Sequence, residues 1–406
     1  MLTVKTPDEV FEVIKESFSA QLKSECVPLA EALGRVLFGA VESREYVPGF
    51  DRSTVDGYAV HAADTFGCSD AIPALLELQG EVNMGEAARK KLQNGCCFYI
   101  PTGGAVPEGA DAVVMIEHVE DYGDGTIGIT KAVAPGENLI YKGDDVYPGK
   151  PVLSAGRLVD VQDIGALAAM GVTNVNVCGR PKVAIISTGD ELVPAEKIPA
   201  DGQIRDLNSP MLAALVTQTG CIPKCYGIVP DDTGKLSTVL DEALEECDVV
   251  LISGGSSVGA KDATDEVIES KGEVLFHGIA MKPGKPTILG KVGAKPVWGL
   301  PGHPVAAFLV SHIFVRPMLA LLKGRTIKPY TIPARLTESV SANHGRAQYN
   351  GGRLLLRDGE WHAEPIRGKS GLITTLADTE GYFCIPRDKE GAAAGEIVSV
   401  TLYSID

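Results

Sequence analysis

Two spacings of apolar residues divide the chain into regions of different structure. From residue 181 to 329, runs such as KVAIIS (182–187) and DVVLIS (248–253), which hold wholly apolar cores at 183–186 and 249–252, alternate with segments in which apolar residues recur every three or four positions. Wholly apolar runs are typical of strands buried on both faces, and the intervening spacing is typical of amphipathic helices. The alternation predicts a doubly wound, mostly parallel sheet with helices on both faces.

The flanking regions have a different pattern. Residues 28–180 and 330–406 carry short β-rich runs, such as GCCFYI and ADAVVMIEHV, separated by turn sequences such as PTGG, YGDGT and NGG. Turn sequences at short intervals predict small barrels or sandwiches. Near the N-terminus, Thr6 followed by Pro7 and Glu9 predicts a helix start with Thr6 as the N-cap. The expected order is helix, β-rich region, α/β domain and β-rich tail.

Composition and net charge limit the partners and the cellular compartment that we expect for this protein. The 406 residues include 37 Lys and Arg against 53 Asp and Glu, which gives a net charge of −16. A uniformly acidic protein binds nucleic acid and anionic lipid poorly, so we expect no nucleic-acid or membrane partner and only a local anion site. The nine scattered cysteines form no CxxC pair, and the N-terminus lacks the apolar core of a signal peptide. Both features favour a cytoplasmic protein with reduced thiols.

The longest apolar stretch, residues 305–322, also bears on the membrane question. It contains His312, Arg316 and Pro317, which interrupt its apolar character. A membrane-spanning helix needs about 20 predominantly apolar residues, so we predict a buried helix here instead.

The clearest candidate site follows the run at 248–253. Gly254, Gly255 and Ser257 lead from the end of this strand to a helix that begins near Asp262. Ligands bind at the carboxyl ends of strands in open α/β sheets, and glycines with helix-start N–H groups suit an oxyanion. A tight strand-to-helix turn with Asp262 as the N-cap explains the same pattern, so both interpretations stay open at this point.

Four further loops of the same region carry charged or rigid residues. They contribute the acids Glu191 and Asp232, the lysines Lys282 and Lys285, and the prolines Pro301 and Pro304. Lysines held among prolines and a glycine suit an anionic ligand at low ordering cost. Carboxylates beside them suit a Mg²⁺ ion that bridges to phosphate. The alternatives are a helix cap for Asp232 and ordinary solvated lysines.

Eight motifs in order then carry a resemblance. They are DRSTVDGYAV, PTGGAVPEGADAVVMIE, GENLIYKGDDV, STGDEL, GQIRDLNSPML, SGGSSVGAKD, MKPGKP and GLPGHPVAAF, and the tail GKSGLITTLADTEGYF extends the match. The chain thereby resembles the molybdopterin molybdenumtransferases, the MoeA-type proteins of molybdenum-cofactor biosynthesis, which are similar to the gephyrin E domain. Members insert molybdate or tungstate into adenylylated molybdopterin and release AMP in an Mg²⁺-dependent reaction.

The resemblance implies an elongated homodimer with four domains per chain. The implied domains are a linker domain (28–49 and 148–180), an inserted barrel-like domain (50–147), the α/β molybdopterin-binding domain (6–27 and 181–329) and a C-terminal β domain (330–406). Implied partners besides adenylylated molybdopterin are a molybdopterin adenylyltransferase and apo-molybdoenzymes.

The resemblance also assigns residues by motif. Asp56, Glu191, Asp232 and Asp262 would be catalytic, with Asp262 and Glu191 as metal ligands. The substrate-binding set would be Thr102, Asp145, Lys282, Pro301, Pro304 and Ser370, to which the residue pattern itself adds Gly254, Gly255, Ser257 and Lys285. Of these, Asp56, Thr102 and Asp145 would come from the opposing chain.

This chain also departs from the family pattern. Ile140 and Gly278 stand where many bacterial members have Arg and Lys, and His303 and Ser256 replace a common Asn and a common Val or Thr.

Two other functions compete with the transferase. The first is adenylylation of molybdopterin, because a similar α/β domain exists alone in those enzymes. The second is a non-catalytic dimeric scaffold like the gephyrin E domain. The flanking β-rich domains favour the transferase over the first, and the retained acids Asp56, Glu191, Asp232 and Asp262 favour it over the second.

Overall fold

The structure is a computed structural model that describes residues 4–20, 23–87, 90–254, 263–366 and 368–404. The predictions for Gly255, Ser257 and Asp262, and the Ser256 departure, therefore lie outside the described residues. By its internal contacts the chain forms two compact units. The first comprises residues 1–25, 34–36 and 178–406, and the second comprises 26–33 and 37–177. The finer division into four domains stays a prediction.

The helices follow local sequence rules. The α-helices described are α1 (Pro7–Ser17), α2 (Val161–Ala169), α3 (Asn208–Gln218), α4 (Thr233–Glu246), α5 (Ala263–Lys271), α6 (Pro304–Val310), α7 (Arg316–Leu322) and α8 (Thr374–Ala377). The predicted start of α1 is confirmed: Glu9 N donates to Thr6 Oγ1 at 3.3 Å, and Thr6 N donates to Glu9 Oε2 at 2.6 Å. This reciprocal pair satisfies two backbone donors that the first turn would otherwise leave unpaired.

The strands fall into an N-terminal and a C-terminal series. The first series is β1 (Ser24–Pro28), β2 (Val41–Glu42), β3 (Arg52–Ser53), β4 (Gly57–Val60), β5 (Ala74–Glu81), β6 (Cys96–Ile100), β7 (Ala112–Met115), β8 (Val119–Asp121), β9 (Thr126–Ile129), β10 (Leu139–Ile140), β11 (Pro151–Leu153) and β12 (Asn174–Cys178). The second series begins with the α/β strands β13 (Lys182–Thr188), β14 (Leu192–Val193), β15 (Ile204–Arg205), β16 (Ile222–Val229), β17 (Val249–Ser253), β18 (Glu273–His277), β19 (Met281–Lys282), β20 (Ile288–Val292) and β21 (Lys295–Leu300). It ends with β22 (Thr331–Leu336), β23 (Val340–Ser341), β24 (Ala347–Arg357), β25 (Glu360–Pro365), β26 (Gly381–Ile385), β27 (Gly391–Ala392) and β28 (Ile397–Leu402).

The predicted doubly wound sheet is the centre of the first unit. Its order is β16-β13-β17-β21-β20-β18, in which the first four strands are parallel and the last two pair antiparallel. Successive residues of β13 face opposite cores: Val183 lies in one hydrophobic cluster and Ala184 in the other. Helices α1, α3, α6 and α7 cover the first face, and α4 and α5 cover the second. A strand buried on both faces has no solvent-exposed side on which polar residues could alternate, which is why residues 183–186 of β13 and 249–252 of β17 are all apolar.

The predicted helix over 305–322 is confirmed as a core element. One helix among the described residues has the length and hydropathy of a membrane span, the continuous helix of 19 residues over Pro304–Leu322, and 72% of it is buried inside the fold. It contains a π-helical turn at Ser311–Val315. Phe314 and Met318 are fully buried, and the indole Nε1 of Trp298 lies 3.2 Å from Met318 Sδ. The apolar surface of this helix therefore packs against the sheet.

The C-terminal strands of the first unit close into a ring. Strands β24, β25, β22, β28 and β26 pair in that order, and β26 pairs again with β24. The pairing of β26 with β24 thus closes a five-stranded barrel. The short strand β19 of the α/β region adds to it by parallel pairing with β24, with Met281 opposite Ala347 and Lys282 opposite Gln348.

The second unit contains the sheet of the predicted barrel-like region. Its order is β7-β4-β6-β5-β9-β8, and no pairing between β7 and β8 is recorded within the described segments, so the sheet stays open. Its hydrophobic clusters are distinct from the cluster around α2, where Leu37, Leu153 and Leu167 pack together. All nine cysteines lie among the described residues, and none of them forms a disulfide.

Candidate active site at the carboxyl edge of the α/β sheet

A cleft of about 1780 Å³ opens in the first unit where β13, β17 and β21 end. The five-stranded barrel contributes residues of β24 and of the segment 366–376 to its wall. Parallel strands present their carboxyl ends at one edge, so the loops predicted from sequence at 188–192, 281–286 and 299–304 meet here. The predicted site residues that line the cleft are Glu191, Gly254, Lys282, Pro301, Pro304 and Ser370.

The floor of the cleft requires a glycine at position 254. Gly254 has a φ of 125°, and a Cβ added there would lie 2.0 Å from the Thr188 carbonyl oxygen and 2.7 Å from Thr188 Oγ1. The ends of β13 and β17 thus approach one another backbone to backbone. Such an approach leaves peptide groups accessible to a ligand without intervening side chains.

Asn208, the first residue of α3, connects the end of β17 to the 299–304 loop. Its Nδ2 donates to Ser253 Oγ at 2.8 Å and to the Gly302 carbonyl at 2.9 Å. Because the carbonyl can only accept, the amide nitrogen faces these groups and Oδ1 faces the other way. Asn208 Oδ1 and Thr188 Oγ1 are buried polar atoms with no hydrogen-bond partner among the described residues. Buried polar atoms normally have partners, so these two cleft residues are suited to a ligand or ordered water.

Carboxylates gather at one corner of the cleft. The Asp231 amide donates to Asp190 Oδ1 at 3.2 Å, and the Glu191 carboxylate folds back over Gly189, where an added Cβ would lie 2.7 Å from Glu191 Oε2. Burial, followed by the negative charges of Asp190 and Glu191, raises the pKa of Asp231. A cation would relieve this repulsion.

This corner offers only a small number of protein ligands for Mg²⁺. Among the described residues, no group of three or more His, Cys, Asp or Glu side chains is arranged to hold a metal ion. Mg²⁺ usually takes one or two protein carboxylates and completes its shell with water and substrate phosphate. Glu191 and Asp231 both line the cleft and are the carboxylates that would hold such an ion.

Three cations among the described residues line the same cleft in this acidic protein. They are Arg205, Lys282 and Lys369, and all three side chains are exposed. Lys282 makes no ion pair with any described residue, whereas Arg205 Nε donates to the Ala195 carbonyl at 3.0 Å. Arg205 and Lys369 were not predicted as site residues. Arg205 lies in GQIRDLNSPML and Lys369 next to Ser370, so both fall in motifs that sequence analysis had identified.

Two predicted residues lie beside the cleft lining. Asp232 is the N-cap of α4, and its Oδ1 accepts from Lys235 N at 2.8 Å. Its neighbours Asp231 and Thr233 line the cleft. Lys285 is exposed, and its carbonyl accepts from Ile279 N. The helix-cap alternative for Asp232 therefore describes its local structure, and its role in chemistry stays a prediction.

The second unit brings together the motifs that contain Asp56, Thr102 and Asp145. Thr102 N donates to Asp56 Oδ1 at 2.8 Å. The segment around residue 142 joins them because Lys142 N donates to Asp51 Oδ1 at 2.7 Å. Asp56, Thr102 and Asp145 are exposed, so their polar groups are available on the surface of this unit.

Comparisons with known proteins match the chain along its length. The MoeA N-terminal region (domain I and II) matches residues 5–171, a probable molybdopterin binding domain matches 184–321, and the MoeA C-terminal region (domain IV) matches 333–403. The molybdopterin molybdenumtransferase of Bacillus subtilis is 31% identical over 99% of this chain and 95% of its own length. Molybdopterin molybdenumtransferase 2 of Mycobacterium tuberculosis is 35% identical over 92% of this chain and 94% of its own.

A solved structure agrees with these sequence matches. The molybdopterin biosynthesis MoeA protein of Pyrococcus horikoshii superimposes with a TM-score of 0.86 at 38% identity and covers 99% of each chain. The fold, the motif order and the near full-length identities all lead to one assignment, which confirms the resemblance predicted from the motifs. The chain belongs to the MoeA family of molybdopterin molybdenumtransferases.

Proposed function

We propose that this chain inserts molybdate or tungstate into adenylylated molybdopterin and releases AMP with the help of Mg²⁺. The observation that carries the proposal is the coexistence of three cations and a carboxylate corner in one glycine-floored cleft of a protein with a net charge of −16. Its volume of about 1780 Å³ exceeds the roughly 300–1,000 Å³ of an ordinary ligand pocket. That space suits a substrate as long as a pterin joined to a nucleotide.

The positively and negatively charged side chains would have different roles in the reaction. Lys282, Arg205 and Lys369 would hold the oxyanion and the substrate phosphates. Bound at Glu191 and Asp231, Mg²⁺ would neutralise charge on the phosphate that leaves as AMP. By resemblance Asp262 would join Glu191 as a metal ligand, and Asp232 would act from the start of α4. Gly254, Gly255, Ser257, Pro301, Pro304 and Ser370 would shape the backbone surface around the substrate.

Lys282→Ala should raise the molybdate concentration that half-saturates AMP release by about tenfold, because a charged contact to an anion is worth roughly 1.5–3 kcal/mol and exposure reduces this value. Lys328→Ala makes the same charge change at an exposed lysine outside the cleft lining and serves as the control. The measurement is AMP release against molybdate concentration at saturating adenylylated molybdopterin. An unchanged half-saturation would remove Lys282 from the oxyanion site.

The active species would be a homodimer in the cytoplasm, with Asp56, Thr102 and Asp145 of one chain completing the cleft of the other. Support comes from the resemblance and from the exposure of these three residues on the second unit. The adenylyltransferase that makes the substrate and the apo-enzymes that receive the cofactor would be further partners.

Mixing Asp56→Ala chains with Glu191→Ala chains should restore about a quarter of wild-type activity, since half of the dimers are mixed and each has one intact site. Mixing Glu191→Ala with Asp231→Ala chains is the control: both changes lie on the same unit, so no mixed dimer has an intact site. Activity is measured after subunit exchange has been verified. A monomer in light scattering, or no rescue in the first mixture, would argue against shared sites.

A further inference from the structure

The five-stranded barrel contacts the α/β region through a loop at the start of α6. His303 Nδ1 lies 2.8 Å from Ser370 Oγ, and Val305 N donates to the Ser370 carbonyl at 3.1 Å. His303 is the residue before α6, and Ser370 lies between β25 and α8. One hydrogen bond depends on the His303 side chain, and the other joins backbone atoms only.

Both residues of this contact line the cleft, as does Lys369, the neighbour of Ser370. Elsewhere along the cleft the barrel is joined to the α/β region by the pairing of β19 with β24, which places Lys282 opposite Gln348. That pairing is a backbone ladder and does not depend on side-chain identity. The contact at Ser370 rests instead on one side-chain bond and one backbone bond.

We propose that His303 is a positioning residue that holds Ser370 and thereby places the Lys369 ammonium group in the cleft. Without the ring, Ser370 would keep only its backbone bond from Val305 N as a hydrogen bond to the α/β region, and the ring adds a second. A cation on a loop ordered before the substrate arrives binds an anion at lower entropic cost. The inference rests on the proposed function because it assigns Lys369 to the anionic part of that substrate.

The first test needs no substrate. Trypsin cleavage after Lys369 is followed in the free protein, with cleavage after the exposed Lys197 as the internal reference. His303→Ala and Ser370→Ala should each raise the Lys369 rate about fivefold or more, because a loop with one attachment opens more often. The double variant should cleave no faster than either single variant. His303→Asn should recover the slow rate, since the Asn amide lies as far from Cβ as the ring Nδ1.

The second test asks whether the contact positions Lys369 for substrate. His303→Ala and Ser370→Ala should each raise the KM for adenylylated molybdopterin about fivefold with kcat within a factor of two, and the double variant should match the single ones. A protein without the proposed activity would still show the change in trypsin cleavage, so the two ideas fail separately. The inference is wrong if trypsin cleavage is unchanged in both alanine variants or if their effects multiply in the double variant. It is also wrong if cleavage becomes faster while the KM for adenylylated molybdopterin stays unchanged.

Discussion

Glu191→Gln should slow AMP release by about 10- to 100-fold, one of the two largest effects expected in this protein. The substitution keeps the shape of the side chain and removes the negative charge that Mg²⁺ requires. Loss of a charged hydrogen-bonding or metal-linked group is worth roughly 1.5–3 kcal/mol. The rate is measured in a single turnover with molybdate, and added Mg²⁺ should recover part of it because the remaining carboxylates still attract the ion.

Glu245→Gln provides the matched control for this result. Glu245 is exposed on α4 and does not line the cleft. Neither substitution should lower the temperature of thermal unfolding, since Glu191 sits in a group of like charges whose repulsion is reduced when one charge is removed. Wild-type turnover in the Glu191→Gln protein would contradict the role of Glu191 in the chemistry. A loss of turnover that is explained by a lower unfolding temperature would contradict it as well.

Gly254→Ala should destabilise the protein by at least about 2 kcal/mol and abolish AMP release. A non-glycine residue in this region of positive φ is strained by about 1–3 kcal/mol. The new Cβ would also lie 2.0 Å from the Thr188 carbonyl, which forces the ends of β13 and β17 apart. Thermal unfolding followed by circular dichroism measures the first effect, and single-turnover AMP release measures the second.

Gly165→Ala is the contrasting glycine substitution. Gly165 lies inside α2, and an added Cβ meets no atom within 4 Å. Alanine is favoured over glycine in a helix interior by about 1 kcal/mol, so this variant should be slightly more stable and fully active. Equal stability losses in Gly254→Ala and Gly165→Ala would show that close approach of backbone segments at residue 254 is not what the site depends on.

The α/β domain could be predicted from sequence because its determinants are local. Residues 183–186 of β13 and 249–252 of β17 are all apolar, and the start of α1 uses Thr6, Pro7 and Glu9 in the pattern of a capping box. Loops that follow parallel strands must meet at one edge, so the cleft could be located as well. The closure of the C-terminal barrel could not, because the pairing of β24 with β26 joins strands across two intervening elements and depends on tertiary packing.

The charged residues of the cleft could likewise be predicted only in part from the sequence. Sequence analysis chose Asp232 from the Asp231-Asp232 pair, whereas the structure places Asp231 in the cleft and Asp232 at the cap of α4. Adjacent acids after a strand are equivalent until the direction of each side chain is known. Arg205 and Lys369 were missed for a related reason: an isolated cation on a loop looks like an ordinary solvated residue until the fold brings it to the cleft.

The most direct test of the central claim separates transfer of metal from adenylylation. The purified protein is incubated with adenylylated molybdopterin, Mg²⁺ and molybdate in the absence of ATP, and AMP is quantified against time. In a parallel mixture it receives molybdopterin, Mg²⁺ and ATP, and ATP consumption is followed. The account predicts AMP release in the first mixture that requires both molybdate and Mg²⁺, and no ATP consumption in the second. ATP consumption with formation of adenylylated molybdopterin, or inactivity in both mixtures, would contradict it.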